Sequence, residues 1–313
     1  MTAEQEALVG LAAEIFAGRT SNEQLAAIER SPSRWDEALW KELADAGLLG
    51  LAIPEEHGGA GLGLLELCLL LEQQGRFLAM VPLWETLVAA HLLGDQPAAK
   101  TWLPGVVSGE VRLSVAPALE GSDGLVSGPF DALVTVDGAS VVLATDVDAV
   151  PVETTTHAIG YDVHSAVGTA LDVAVDRVRD TVRVALSAVQ LGVAEAGVRE
   201  AAQHLTTREQ FGRPLATFQA TQQQLGDCYC DVQAMRATVG QAVFTMARRD
   251  VDVATWWACD AGERIQHTVQ HVHGGLGADI TYPVHRRLLW TMRTNALLGG
   301  PSRQLVRLGA DLI

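Results

Sequence analysis

Basic residues are scarce in this chain of 313 residues: 22 lysines and arginines face 38 aspartates and glutamates, for a net charge of −16. That balance argues against a nucleic-acid partner or an anionic-membrane surface, and it means that local arginines must hold any phosphate-bearing ligand against the overall field. Cysteine is equally sparse. Cys68, Cys228, Cys230 and Cys259 lack zinc-site spacing, and Cys228-Tyr229-Cys230 falls inside a helical apolar pattern, where buried, inert thiols are expected. The first residues include Glu4 and Glu6 and offer neither a cationic nor an apolar leader segment, and no apolar run reads as long enough to cross a bilayer. A soluble, cytoplasmic protein without a membrane partner is therefore expected. The glycine-rich stretch I-P-E-E-H-G-G-A-G-L-G at 53–63 lacks the Lys-Ser/Thr of a phosphate loop. It reads as a surface loop whose Glu55, Glu56 and His57 are solvated.

Periodicity divides the chain into three. From Glu4 to Met80 the apolar spacing is helical apart from that loop, with Leu64 to Leu71 opening one helix and Leu83 to Leu93 forming another. Around Val111 the pattern becomes alternating. Leu133-Val134-Thr135-Val136, a turn at Asp137-Gly138, and Ser140-Val141-Val142-Leu143 form a β-hairpin, and Val150 to Val152 and Ala170 to Val175 read as further strands. His157, Asp162 and His164 fall in the loops of this β unit. Without a second cluster of ligands they do not make a metal site. After Arg179 the pattern is helical again, with Leu186, Val189, Val193 and Ala196 on one seam and Leu225, Cys228, Val232, Met235, Val239, Ala242 and Met246 on the next. At this length two or three packed units are expected: residues 1–110 helical, 111–178 a short β unit, and 179–313 a helical bundle, an α+β fold that is mostly α.

Between the two seams lies R-E-Q-F-G-R-P-L-A-T-F-Q, from Arg208 to Gln219, in which Gly212 and Pro214 break helix geometry. A corner that carries an arginine and aromatics suits a flat anionic ligand, with guanidinium for phosphate and rings and amides for a base. It equally suits a helix-helix turn whose arginine caps carbonyls.

Three stretches together resemble the acyl-CoA dehydrogenase family: L-W-K-E-L-A-D-A-G-L-L-G-L-A-I-P-E-E-H-G-G-A-G-L from Leu39, the corner from Arg208, and H-V-H-G-G-L-G-A-D-I-T-Y-P-V-H-R from His271. The resemblance runs over essentially the whole chain. It implies an N-terminal helical domain, a middle β domain and a C-terminal four-helix bundle. It also implies FAD, an acyl-CoA substrate, an electron-transfer acceptor protein, and α,β-dehydrogenation in which a glutamate removes the α-proton while hydride leaves to the flavin. By the same resemblance the corner and the Gly-Gly turn reach a neighbouring subunit's FAD. Arg208 would pair with the pyrophosphate, Gln210 and Phe211 would line it, Phe218 and Gln219 would meet the adenine end, and Gly274 and Gly275 would admit phosphates against bare backbone. His271 stands where the family usually has glutamine.

Two features depart from the family's pattern. The β unit is short and lacks the two flavin-facing signatures, with residues 118–123 a candidate remnant of one. No carboxylate occurs between Asp279 and Asp311, and counting from Tyr282 to the family's glutamate lands on Leu298 or Gly299. The alternative position, before the arginine corner, counts to Val182, with Asp180, Glu195 and Glu200 on the same helical run. The expectation is therefore a non-catalytic subunit that resembles the short subunit of α2β2 dehydrogenases acting on steroid side-chain CoA thioesters. Its longer partner would supply the flavin ring pocket, the thioester pocket and the base. The alternatives are a self-sufficient homo-oligomer using a displaced carboxylate, and a flavin-free helical scaffold.

Overall fold

The computed structural model describes residues 1–119, 124–154, 156 and 158–310. Six helices come first: α1 (Ala3–Arg19), α2 (Asn22–Arg30), α3 (Glu37–Asp45), α4 (Leu64–Phe77), α5 (Leu83–Leu93) and α6 (Ala99–Val107). Reciprocal capping boxes, Thr2 with Gln5 and Ser21 with Gln24, satisfy amides at the starts of α1 and α2 that no helical carbonyl reaches. The glycine-rich stretch before α4 folds back on itself, the amides of Ala60, Gly61 and Leu62 donating to the carbonyls of Gly50, Ile53 and Leu51 at 3.0, 2.8 and 3.0 Å. Within it His57 is buried rather than solvated, its Nε2 3.4 Å from Glu56.

A small sheet follows, made of β1 (Leu113–Ala116), β2 (Val126–Ser127), β3 (Ala132–Asp137), β4 (Ser140–Glu153) and β5 (Ile159–Leu171), in the order β1-β3-β4-β5-β2. β1 runs parallel to β3 and the remaining pairs are antiparallel. The Ser114 hydroxyl donates to the Ser127 carbonyl at 2.9 Å, so the two ends of this order approach one another and the sheet curls. Asp137 pairs with Ser140, which places the hairpin turn on Gly138-Ala139, one residue later than expected, with Gly138 at φ +58°. Val150 to Val152 belongs to β4 rather than to a separate strand. Of the stretch from Ala170 to Val175, Ala170 and Leu171 end β5 whereas Val175 begins a helix. Leu113, Val115, Val134, Val141 and Leu143 join one core with α4, α5 and the following helix.

The rest of the described chain is helical apart from a short hairpin: α7 (Val175–Thr207), β6 (Glu209–Gln210), β7 (Arg213–Pro214), α8 (Gln219–Thr245), α9 (Arg248–Val272), α10 (His285–Leu298) and α11 (Pro301–Ala310). α7 to α10 form the four-helix bundle, and α11 packs on α9. α7 starts four residues before Arg179, its first turn carrying Asp176 where a carboxylate complements the helix dipole. By length and composition α7 would reach across a membrane, but 94% of its most apolar window is buried inside the protein, as in a core helix. α4 crosses it backbone to backbone. A Cβ on Gly75 would lie 1.9 Å from the Val189 carbonyl oxygen, and one on Gly192 would lie 1.9 Å from that of Glu72. Only glycine permits this approach at both positions. Arg236 of α8 locks the crossing, holding both Glu72 oxygens at 2.9 and 3.1 Å and Glu195 at 3.1 Å. Cys228, Val232, Met235, Val239 and Ala242 form the buried seam of α8. Cys230 is exposed, contrary to expectation, because two residues further along the helix has turned by about 200°.

Candidate functional site

The corner after α7 is a two-residue β-hairpin. The Arg208 amide still donates to the His204 carbonyl at 2.8 Å, and the Leu215 amide closes the corner onto the Arg208 carbonyl at 2.8 Å. Glu209 pairs with Pro214 and Gln210 with Arg213, leaving Phe211 and Gly212 as the turn at φ +54° and +77°. Two consecutive left-handed residues suit a twisted hairpin, but a phenylalanine there is strained. The strained ring is also 88% exposed. Its nearest aromatic neighbour is Phe218, edge to face at 6.0 Å between centroids, and the guanidinium of Arg213 lies 4.1 Å over the Phe218 ring. Phe218 caps α8, and Gln219 is that helix's exposed first residue. The side chain of Arg208 is exposed and makes no hydrogen bond or ion pair among the described residues. These observations disfavour the reading in which the arginine caps helix carbonyls.

The Gly-Gly turn lies at the same end of the bundle. His273, at the end of α9, is buried, and its Nδ1 donates to the Val269 carbonyl at 2.7 Å. Its ring stacks on that of His204 from α7, with centroids 4.3 Å apart. Burial first, then the neighbouring His273 and Arg208, hold the His204 imidazole below its usual pKa. Gly274 has φ +60°, and a Cβ on either Gly274 or Gly275 would meet nothing within 4 Å. Gly274 is thus needed for its backbone conformation, whereas Gly275 leaves an open approach to backbone. His271 is exposed and takes no part in the histidine stack. The structure therefore gathers Arg208, Gln210, Phe211, Phe218, Gln219, Gly274 and Gly275 at one end of the bundle. It adds three residues that sequence reasoning missed: His204, His273 and Arg213. The one available signal was that His204 stands one helical turn before Arg208.

The carboxylates of α7 are all engaged with guanidinium groups. Asp180 meets Arg183 at 2.9 Å, Glu195 meets both Arg199 and Arg236 at 3.1 Å, and Glu200 takes Arg287 at 2.6 Å. Burial raises the Asp180 pKa, with Arg183 pulling the other way. Leu298, where the count from Tyr282 lands, is fully buried and ends α10. Gly299 at φ +86° terminates that helix. The candidate remnant of a flavin-facing signature falls largely on residues 120–123, outside the described residues, as does His157. The other two members of that trio lie within strand β5 rather than in a loop, His164 being 3.8 Å from Asp162 and 3.6 Å from Asp148 on β4.

An N-terminal helical block, a small sheet and a four-helix bundle with this exposed end define the acyl-CoA dehydrogenase class, and the chain belongs to that family. Residues 2–110 match the family described as "Acyl-CoA dehydrogenase, N-terminal domain", and residues 171–311 match "Acyl-CoA dehydrogenase, C-terminal domain". The chain is 36% identical to acyl-CoA dehydrogenase FadE27 of Mycobacterium tuberculosis, over 91% of this chain and 90% of that protein. Among solved structures it superposes on the Tcur3481-Tcur3483 steroid ACAD with a TM-score of 0.91 and 41% identity, covering 99% of this chain and 97% of that one. On the ChsE4-ChsE5 complex from Mycobacterium tuberculosis the TM-score is 0.89 with 33% identity, covering 100% and 98%.

Proposed function

We propose that this chain is the non-catalytic subunit of a heteromeric, FAD-dependent acyl-CoA dehydrogenase of α2β2 form, which works in the cytoplasm on the CoA thioester of a steroid side chain. The carrying observation is the exposed side chain of Arg208 at the same end of the bundle as the open Gly274-Gly275 turn, in a chain whose α7 carboxylates are tied up in ion pairs. The two solved complexes above, each with two named components, support a partner subunit.

The residues present fit one half of FAD. Arg208 offers charge-assisted hydrogen bonds to the pyrophosphate, the open backbone at Gly275 admits its oxygens, and the exposed Phe211 with the half-buried Phe218 gives flat apolar contact to the adenine end, beside Gln210 and Gln219. The chemistry that FAD would supply, held mainly by the partner, is acceptance of a hydride from the substrate's β-carbon. The base that removes the α-proton belongs to the partner, as do the flavin ring pocket, the thioester pocket and the docking site for an electron-transfer acceptor protein.

Flavin extraction tests this reading. The chain purified alone should carry almost no FAD and the mixed complex about one FAD per unlike pair. In the complex, Arg208→Ala made only in this chain should weaken FAD retention about ten- to a hundredfold, the loss of one charge-assisted bond. One FAD per chain in the homomeric protein would overturn the assignment.

A further inference from the structure

A cleft of about 710 Å³ opens where the α1–α2 junction, the end of α4, the last turns of α7 and the start of α10 meet. That is the size of a small-molecule site rather than of a packing void. Four arginines line it: Arg76, Arg199, Arg286 and Arg287. Three are already paired, Arg286 with both oxygens of Glu29 at 2.6 and 2.9 Å, Arg287 with both oxygens of Glu200, and Arg199 with Glu195 at 3.1 Å. Arg76 is not. It is half-buried, it meets no carboxylate among the described residues, and its Nη1 reaches only the Gln73 side-chain oxygen at 3.5 Å. Four further donors in the cleft, the Asn22 and Gln203 amides, the His204 ring and the Tyr282 hydroxyl, make no side-chain hydrogen bond among the described residues. His204, His273 and Tyr282 lay three rings along one wall, with 4.3 and 5.6 Å between successive centroids.

In a chain of net charge −16 carboxylates are plentiful, yet Arg76 has none. It stands in the last turn of α4, where a cation complements the helix dipole. That role calls for charge alone and explains neither the cleft nor the unused donors around it. A carboxylate offers two oxygens, whereas a terminal phosphate presents three to a ring of donors, and guanidinium groups hold it with charge-assisted bonds. We propose that this cleft is a second ligand site, contained within this one chain, for a small phosphate monoester that carries a flat ring. The phosphate lies on Arg76 and the neighbouring donors, and the ring lies against the His204-His273-Tyr282 wall. The site goes beyond the flavin reading and does not depend on it, because none of Arg208, Phe211, Phe218, Gly274 and Gly275 lines the cleft.

Isothermal titration calorimetry of the full chain with phenyl phosphate, methyl phosphate and benzoate tests the assignment. Phenyl phosphate should bind saturably at one site per chain. Its affinity should exceed about tenfold that of methyl phosphate, which lacks the ring, and that of benzoate, which lacks the third oxygen. Arg76→Gln should weaken phenyl phosphate about ten- to a hundredfold, and Arg76→Lys, which keeps the charge, should fall between that variant and the unmodified chain. Gln203→Trp, which fills the cleft from α7, should remove binding, whereas Arg208→Ala should leave it unchanged. Should Arg76→Gln fail to fold, the probe series on the unmodified chain and the Gln203→Trp result still decide. No saturation, an affinity for benzoate or methyl phosphate equal to that for phenyl phosphate, or binding untouched by Arg76→Gln would overturn the proposal. A loss in Arg208→Ala as large as in Arg76→Gln would put the probe at the flavin-facing end and overturn it as well.

Discussion

His273 lies stacked on His204 with ring centroids 4.3 Å apart and planes inclined by 27°, fastening the end of α9 to the end of α7. Each ring adjoins one half of the proposed flavin-contacting end: His204 stands a helical turn before Arg208, and His273 immediately precedes Gly274. The stack therefore fixes the end of α7 that leads to Arg208 against the end of α9 that leads to the open Gly274-Gly275 turn, the two parts of the proposed site. Two protonated imidazoles at this distance would repel, with Arg208 adding a third positive charge.

His204 is accordingly expected to titrate below its ordinary value of 6.5. A histidine with a lowered folded pKa contributes stability that is present above the unfolded value and is lost as pH falls through the folded one. Below about pH 6.5 the corner should therefore loosen. NMR titration of the His204 ring protons checks this, with His273→Ala expected to move the apparent pKa back up. A titration indifferent to His273 would show that the stack has no electrostatic consequence.

Phe211 is expected to reveal a conflict between stability and function. Its left-handed backbone costs roughly 1–2 kcal/mol in a residue with a side chain, and its exposed ring makes few contacts in return. Phe211→Gly should then raise the stability of the chain by about 1 kcal/mol, seen as a rise of a few degrees in Tm. The same variant in the assembled complex should release FAD faster. A lowered Tm would mean that the Phe211–Phe218 contact outweighs the strain.

Much of this architecture was legible because periodicity reports burial. The seam from Cys228 to Ala242, the helix from Leu83 to Leu93 and the hairpin around Gly138 follow from spacing alone. The start of α7 was not legible, since Ala170 to Val175 read as a strand and the helix begins after Ala174, which offers no side-chain cap to mark the change. The full lengths of β4 and β5 were hidden because their outer halves are exposed and carry no clean apolar alternation. Of the candidate site, Arg208 to Gln219 was visible as a break between two seams, and the Gly-Gly turn as part of a resemblance. The pairing of His204 with His273 joins residues far apart in sequence. The cleft around Arg76 is likewise assembled from several separate segments, and no local pattern marks either feature.

Glu85 should give the chain an inverted pH dependence of stability. Burial pushes its carboxyl from 4.5 up to about 8, while Ser127 and Arg293 pull the other way. The folded state thus holds a proton that unfolding releases, so this contribution is complete below about pH 4.5 and is lost as pH climbs towards 8. Across that window stability should fall by as much as about 1.4 kcal/mol per pH unit from this one group. Urea denaturation at pH 5.5 and 7.5 checks the sign, and Glu85→Gln should flatten the slope. An unchanged slope in that variant would place the charged form of Glu85 in the folded state.

The last prediction concerns Asp180, Glu195 and Glu200, and it separates a partner-supplied base from a displaced one. Each carboxylate already holds a guanidinium in the bundle, and the Arg183 and Arg287 side chains are only 3% and 7% exposed. Asp180→Asn and Glu200→Gln remove the ion-pair partners of Arg183 and Arg287, whereas after Glu195→Gln Arg236 keeps Glu72, so Tm should fall, most for the buried Asp180–Arg183 pair and least for Glu195. If the partner supplies the base, turnover per bound flavin should stay within a few-fold of the unmodified complex. Loss of a general base typically costs on the order of a hundred- to ten-thousandfold, which mild destabilisation of a folded complex cannot imitate. The measurement is steady-state dehydrogenation of an acyl-CoA by the reconstituted complex with an artificial electron acceptor, each variant normalised to its flavin content. A loss of that size in any one variant, with FAD retained and the fold intact, would place the base on α7 and make this chain a complete dehydrogenase.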